Sequence, residues 1–186
     1  MAHLTSVPGT AGPAVASTGR AALAWAAGFS LLAAATHVYV VPEHAEEWPA
    51  AAVFFVVLTV LQLGLAAVLL RRPGPRVLEP AVHATVGLVV FYVLTRTVDL
   101  PLLPPLGAHG ASHLPVAWGI GNGVPVFPGE GVEEVGTPDL VCLGAELATV
   151  VLLAGLLPPA ARRRVVDVAA AAAVVLVALR VAGVQG

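Results

Sequence analysis

The sequence predicts an all-α integral membrane protein, a helical bundle with about five transmembrane helices. Hydrophobic residues make up 58% of the 186 residues and charged residues 11%, whereas an ordinary soluble domain is nearer half apolar and a quarter charged. The apolar residues also form five long runs, and a helix needs about 20 residues to cross a bilayer. We place the spans at residues 21–41, 50–70, 80–98, 140–157 and 165–184.

The first two spans are predicted from apolar runs on either side of a short polar link. Arg20 precedes the first run, which ends at Pro42, and the second run lies between Pro49 and Arg71. Prolines at the ends of apolar runs are typical of helices, because proline breaks a helix interior. The small residues at 33–35 also permit a signal peptide with a cleavage site there. We favour a retained span, because the apolar run continues beyond them.

Charged residues and prolines also delimit the last three spans. The third begins at Pro80 and ends before Asp99, and the fourth lies between Pro138 and Pro158. The fifth, rich in alanine and valine, follows the arginines at 162–164. A soluble protein of this size could not cover five helices that are apolar all round, so the bilayer is the predicted surrounding.

One transmembrane domain, residues 20–186, is predicted to follow a tail of residues 1–19. The tail is rich in Gly, Pro, Ser, Thr and Ala without a period, so we expect it to be disordered and cytoplasmic. Residues 99–139 form a long extracytoplasmic loop in this interpretation.

Arginine placement predicts the orientation. Arginines lie before the first span, between the second and third spans, and between the fourth and fifth. The positive-inside rule assigns these segments to the cytoplasm. The N-terminus is then inside and the C-terminus outside in a plasma membrane protein.

The lipid bilayer is the predicted partner. The net charge of −2 argues against nucleic acid. Five helices are few for a transporter acting alone, so a homo-oligomer or a membrane complex is also compatible with the sequence.

Polar residues concentrate in residues 37–48, which contain two histidines, three glutamates and a tryptophan. Arg96 lies near the outer end of the third span, and a charged side chain inside a lone span costs roughly 3 kcal/mol. Arg96 therefore needs a partner, for which Asp99, Asp139, Glu146 and Glu43 are candidates. We predict a polar cluster near the outer leaflet, built from His37, Glu43, His44, Glu47, Arg96, Asp139 and Glu146.

Three functions suit this polar cluster. A structural or assembly role, in which arginine–carboxylate pairs tie helix ends together, is favoured. A second is the binding of a divalent metal such as zinc, iron or manganese by His37, His44 and Glu47. A third is proton-coupled transport of a small substrate through a buried Glu146. The chain has no phosphate loop, dinucleotide fingerprint or CxxC, so no cofactor-binding residue is assigned, and a divalent metal is the one cofactor candidate. Enzyme activity stays open. Cys142 is interpreted as a small core residue.

Several polar and aromatic positions form a pattern along the first four spans: His37, Pro42, Glu43, His44, Glu47, Trp48, Phe54, Phe55, Gln62, residues 94–101, residues 133–139 and Glu146. This pattern resembles a group of small polytopic membrane proteins of high-GC bacteria that have no assigned activity. The resemblance covers about residues 21–157, and residues 107–131 are longer than the short Gly-Pro link of that group. It implies four related spans and assigns no reaction.

Overall fold

A computed structural model describes residues 13–96 and 135–181, and it is all-helical as predicted. The predicted tail up to residue 12, most of the predicted 99–139 loop and the end of the fifth predicted span lie outside the described residues. The five helices are α1 (Pro13–Glu47), α2 (Pro49–Leu70), α3 (Pro75–Thr95), α4 (Thr137–Leu156) and α5 (Pro159–Val181).

The first helix is longer than the first predicted span at both ends. Its backbone is already helical over residues 13–19, where the sequence favoured an irregular tail. At the other end, Pro42 lies inside α1, so the prediction that it ends the helix was wrong. Membrane helices tolerate an internal proline because neighbouring groups can satisfy the freed carbonyl. The polar segment after His37 is therefore the end of a helix, and only Trp48 separates α1 from α2.

The turn from α2 to α3 begins at Arg71, and Arg72 has a left-handed backbone with φ 58°. A left-handed residue commonly follows the end of a helix. The third helix begins at Pro75, earlier than the predicted Pro80, which lies inside it. Proline is tolerated at a first helical position because its missing N–H needs no partner there.

Each helix packs against particular neighbours in the bundle. α1 lies against both α2 and α4, and α4 also packs on α3. α5 rests mainly on α3, with a smaller contact to α4. The fourth helix is thus central, and helices distant in sequence meet along it.

An apolar core occupies the half of the bundle that carries the arginine-rich turns. Its members come from all five helices and include Ala27, Leu69, Val82, Leu153 and Val165, each at most 3% exposed. The buried polar residues belong to α1–α4, and include His37, His44, Gln62 and Glu146. The two halves of the bundle therefore differ in chemistry, and the chemistry-bearing side chains lie away from the arginine-rich turns.

The protein is a membrane protein by the length and apolarity of its helices. Among the described residues, four helices are long and apolar enough to cross a bilayer, and they lie in α1 to α4. Their outer surfaces expose large apolar side chains, such as Trp25 at 66% and Val60 at 64%. Polar residues inside and apolar residues outside are the arrangement that a lipid environment favours.

Candidate functional site

A cavity of about 280 Å³ lies between the first four helices. Its wall includes most of the predicted polar cluster: His37, Glu43, His44, Arg96, Asp139 and Glu146. The side chain of Glu47, the remaining member, lies outside the described part of the chain. The cavity also receives Cys142, which the sequence analysis interpreted as a core residue.

Three potential metal ligands meet at this cavity. His37 on α1 places Nε2 3.8 Å from Glu146 Oε1 and 3.7 Å from Cys142 Sγ on α4. One ligand atom of each residue lies within 4.8 Å of the others. Cys142 and Glu146 are four residues apart on α4, so helical spacing places them on one face.

The separations suit a shared ion better than direct bonding between His37 and Glu146. Ligand atoms about 2.0–2.3 Å from a tetrahedral zinc ion lie about 3.4–3.6 Å apart. The His37–Glu146 distance of 3.8 Å is too long for a hydrogen bond. The Cys142 thiol can make a weak hydrogen bond to His37 Nε2 at 3.7 Å, which is the arrangement available without an ion.

The carboxylate of Glu146 is held by a hydrogen-bonded chain that crosses to α2 and α1. Gln62 Nε2 donates to Glu146 Oε1 at 3.3 Å. Ser30 Oγ lies 2.6 Å from Gln62 Oε1 and 2.8 Å from the Gln62 carbonyl oxygen, so its hydroxyl donates to the oxygens of Gln62. The amide nitrogen of Gln62 lies on the side of Glu146 and its oxygen on the side of Ser30. Gln62 on α2 therefore bonds to side chains of both α1 and α4, as buried amides in membrane bundles commonly do.

The second buried histidine, His44, lies in a different environment. Its Nδ1 lies 2.9 Å from the Val40 carbonyl oxygen, to which it can donate. Its ring meets the Phe55 ring edge-on, with centroids 4.5 Å apart, and Phe55 also contacts the His37 ring. The described ligand group contains His37 and neither His44 nor Glu47, so the predicted metal set of His37, His44 and Glu47 stays a prediction.

An ion pair joins α3 to α4 at the cavity. Arg96 Nη2 lies 2.9 Å from Asp139 Oδ1, and its guanidinium carbon lies 4.9 Å from the Tyr92 ring centroid. Asp139 Oδ2 also accepts the Gly136 N–H at 2.7 Å, which caps the start of α4. Arg96 is thus placed against one of the four carboxylates that the sequence offered as partners.

Sequence reasoning missed Cys142 and Ser30 as parts of this site. One signal was present, because Cys142 and Glu146 have the i, i+4 spacing that puts two ligands on one helix face. The contact to His37 depends on how α1 packs on α4, which the apolar runs do not specify.

No family model, no curated protein and no solved structure matches this chain. The resemblance to small membrane proteins of high-GC bacteria therefore stays an expectation, and a function has to be argued from the geometry of the cavity.

Proposed function

We propose that this membrane protein binds one divalent transition-metal ion through His37, Cys142 and Glu146. The observation that carries the proposal is the convergence of imidazole, thiol and carboxylate donor atoms within 4.8 Å of one another. The three residues come from two helices that are far apart in sequence, so their meeting is a property of the folded bundle.

Burial supports the metal interpretation. The side chains of His37 and Glu146 are 7% and 5% exposed. An ionised carboxylate inside a membrane bundle is costly unless an opposite charge lies beside it. A divalent ion bound by a thiolate, a carboxylate and a neutral imidazole gives a site with no net charge. The metal therefore removes the electrostatic penalty that Glu146 and a Cys142 thiolate would impose in a low dielectric.

The mixed donor set narrows the class of metal. Sulfur and imidazole ligands suit zinc and its neighbours in the first transition row, whereas magnesium and calcium prefer oxygen ligands alone. We therefore propose zinc, or a metal with similar preferences, as the ion.

The bundle is proposed to lie in the plasma membrane with the metal site toward the outside. The arginine-rich turns lie at the apolar half of the bundle and the cavity at the other half. The positive-inside rule then places the N-terminus in the cytoplasm. If α5 also crosses the bilayer, the C-terminus lies outside.

Elemental analysis of detergent-purified protein tests the proposal. We expect about one metal ion per chain in the wild type, and at least a tenfold weaker affinity in His37→Ala, Cys142→Ser and Glu146→Gln, because each variant loses one of three ligands. His83→Ala is the matched control, since His83 is a partly buried histidine that bonds its own helix at Glu79 O. His44→Ala distinguishes this ligand set from the sequence-predicted set of His37, His44 and Glu47. It should keep the metal, because His44 is a ligand only in the second set.

Two results would contradict the metal proposal. One is wild-type protein that neither carries metal nor binds it on reconstitution. The other is a metal content that the three ligand variants leave at the level of His83→Ala.

A structural or assembly role is a second candidate, favoured by the Arg96–Asp139 pair. This pair joins the end of α3 to the start of α4. It predicts loss of stability without loss of metal when Arg96 is replaced by alanine.

A further inference from the structure

We propose that the metal has an open coordination position facing the cavity, and that this position receives a small apolar molecule bearing one donor atom. The proposal rests on the proposed metal site and adds a ligand to it. It is carried by the joint geometry of the three ligands and the cavity that they line.

Three protein ligands leave a position open. Zinc sites with a purely structural role are closed by four protein ligands, whereas sites that act on a substrate have three and keep the fourth position for water or substrate. The described ligand group has three members. All three line the same cavity, so a fourth ligand has space to approach from that side.

The remaining wall of the cavity determines the kind of molecule that fits. Aromatic and aliphatic side chains form much of it, among them Phe55, Leu58, Leu88 and Leu143. The volume of about 280 Å³ lies just below the range of about 300–1,000 Å³ typical of sites for drug-sized ligands. A compact molecule with an apolar body fits this wall, and its donor atom can reach the metal.

The structure also offers a route from the bilayer. Over the described residues, α2 and α3 make no extensive helix–helix contact. Phe54 and Phe91 meet across this side of the cavity with ring centroids 5.6 Å apart. The two residues are 37% and 41% exposed, so each faces both the cavity and the surroundings of the bundle. These two rings stand between the cavity and the surroundings of the bundle, so an apolar molecule dissolved in lipid would enter on this side by displacing them.

Cobalt(II) substitution tests this proposal, because cobalt reports its coordination in the visible spectrum. We expect 4-phenylimidazole to shift the spectrum of the cobalt-loaded protein, at a concentration about tenfold or more below that needed with imidazole. The phenyl group supplies the apolar contact with the cavity wall. Both probes present the same donor, so the ratio isolates the contribution of the cavity.

Cavity-filling variants give the matched comparison. Ala51→Trp on α2 and Leu88→Trp on α3 fill the cavity from two different walls. Both should keep the cobalt spectrum and lose the response to 4-phenylimidazole. Val53→Trp is the control, since Val53 lies on α2 but is 63% exposed, and it should keep both.

The outcomes separate this proposal from the one on which it rests. If cobalt does not bind the wild type, the proposed metal site fails and the ligand proposal falls with it. If cobalt binds but the two imidazoles act alike, or if both cavity-filling variants respond like the wild type, the metal site stands and the cavity ligand is overturned.

Discussion

At the scale of single residues, the decisive feature is how Glu146 is held. Its Oε1 accepts a hydrogen bond from the Gln62 amide and lies 3.8 Å from His37 Nε2. The Gln62 amide is in turn oriented by the Ser30 hydroxyl. Residues that orient metal ligands commonly change affinity by about 10–100-fold when mutated. Gln62 and Ser30 are therefore interpreted as positioning residues for the proposed metal site.

Gln62→Leu should lower metal affinity by about 10–100-fold, because it removes the donor that fixes the Glu146 carboxylate. Ser30→Ala should have the same direction and a smaller effect, since Gln62 keeps its amide. Competition titration against a chelator of known affinity measures both. Leu61→Ala is the control on the same helix, because Leu61 is 60% exposed. An affinity of Gln62→Leu equal to that of the control would exclude a positioning role.

At the scale of helices, we propose that the Arg96–Asp139 pair stabilises the bundle independently of the proposed metal site. Arg96 and Asp139 side chains are 9% and 25% exposed, so the pair is partly shielded from solvent. Because the two residues belong to different helices, the ion pair restrains the position of α3 relative to α4. We therefore expect loss of this pair to lower the stability of the bundle and to leave the metal content unchanged.

Arg96→Ala should destabilise the protein by about 1–3 kcal/mol, because the Asp139 carboxylate loses the Arg96 guanidinium and keeps the hydrogen bond from the Gly136 N–H. Denaturation in mixed detergent micelles measures the change. Arg163→Ala, at an exposed position of α5, is the control and should be close to neutral. Metal content should stay at the wild-type level in Arg96→Ala. Loss of metal without loss of stability would contradict the proposal that the Arg96–Asp139 pair stabilises the bundle and is not needed for metal binding.

The positions of the helices could be predicted from the sequence because apolar runs of membrane length have few alternatives. The second helix, Pro49–Leu70, nearly coincides with the predicted span. Prolines were less informative, since Pro42 and Pro80 both lie inside helices. Proline rules from water-soluble proteins treat such residues as breaks, whereas a membrane helix accommodates them.

The site was only partly predictable for a different physical reason. Charged residues such as Arg96 and Glu146 are costly in a membrane, so the sequence alone marks them. Cys142 and Ser30 cost little to bury, so the sequence marks them only weakly: the i, i+4 spacing of Cys142 to Glu146 was the one signal, and Ser30 had none. Their roles follow from the packing of α1 on α2 and α4, which is tertiary information.

At the scale of the whole molecule, the bundle separates an apolar half from a polar half. The apolar half joins all five helices near the arginine-rich turns, and the polar half encloses the cavity. Among the described residues, α5 contributes Ala161 and Val165 to the core and packs Ala169 against it. Further along α5, Val174 and Val177 are 67% and 60% exposed.

Labelling with a membrane-impermeant maleimide tests the proposed orientation. In a Cys142→Ser background, Glu46→Cys should react in intact cells, because the end of α1 lies outside in the proposed topology. Gly74→Cys, in the arginine-rich turn, should react only after permeabilisation. Both positions are exposed. Labelling of Gly74→Cys in intact cells, with Glu46→Cys protected, would invert the topology.

The most direct test of the metal site is a cobalt(II) titration of metal-free protein, followed by the thiolate-to-cobalt charge-transfer band. The band reports a sulfur ligand, and Cys142 is the single cysteine of the chain. We predict a band that saturates at about one ion per chain and is absent from Cys142→Ser. A wild-type titration with no band, or a band of equal intensity in Cys142→Ser, would contradict metal binding by His37, Cys142 and Glu146.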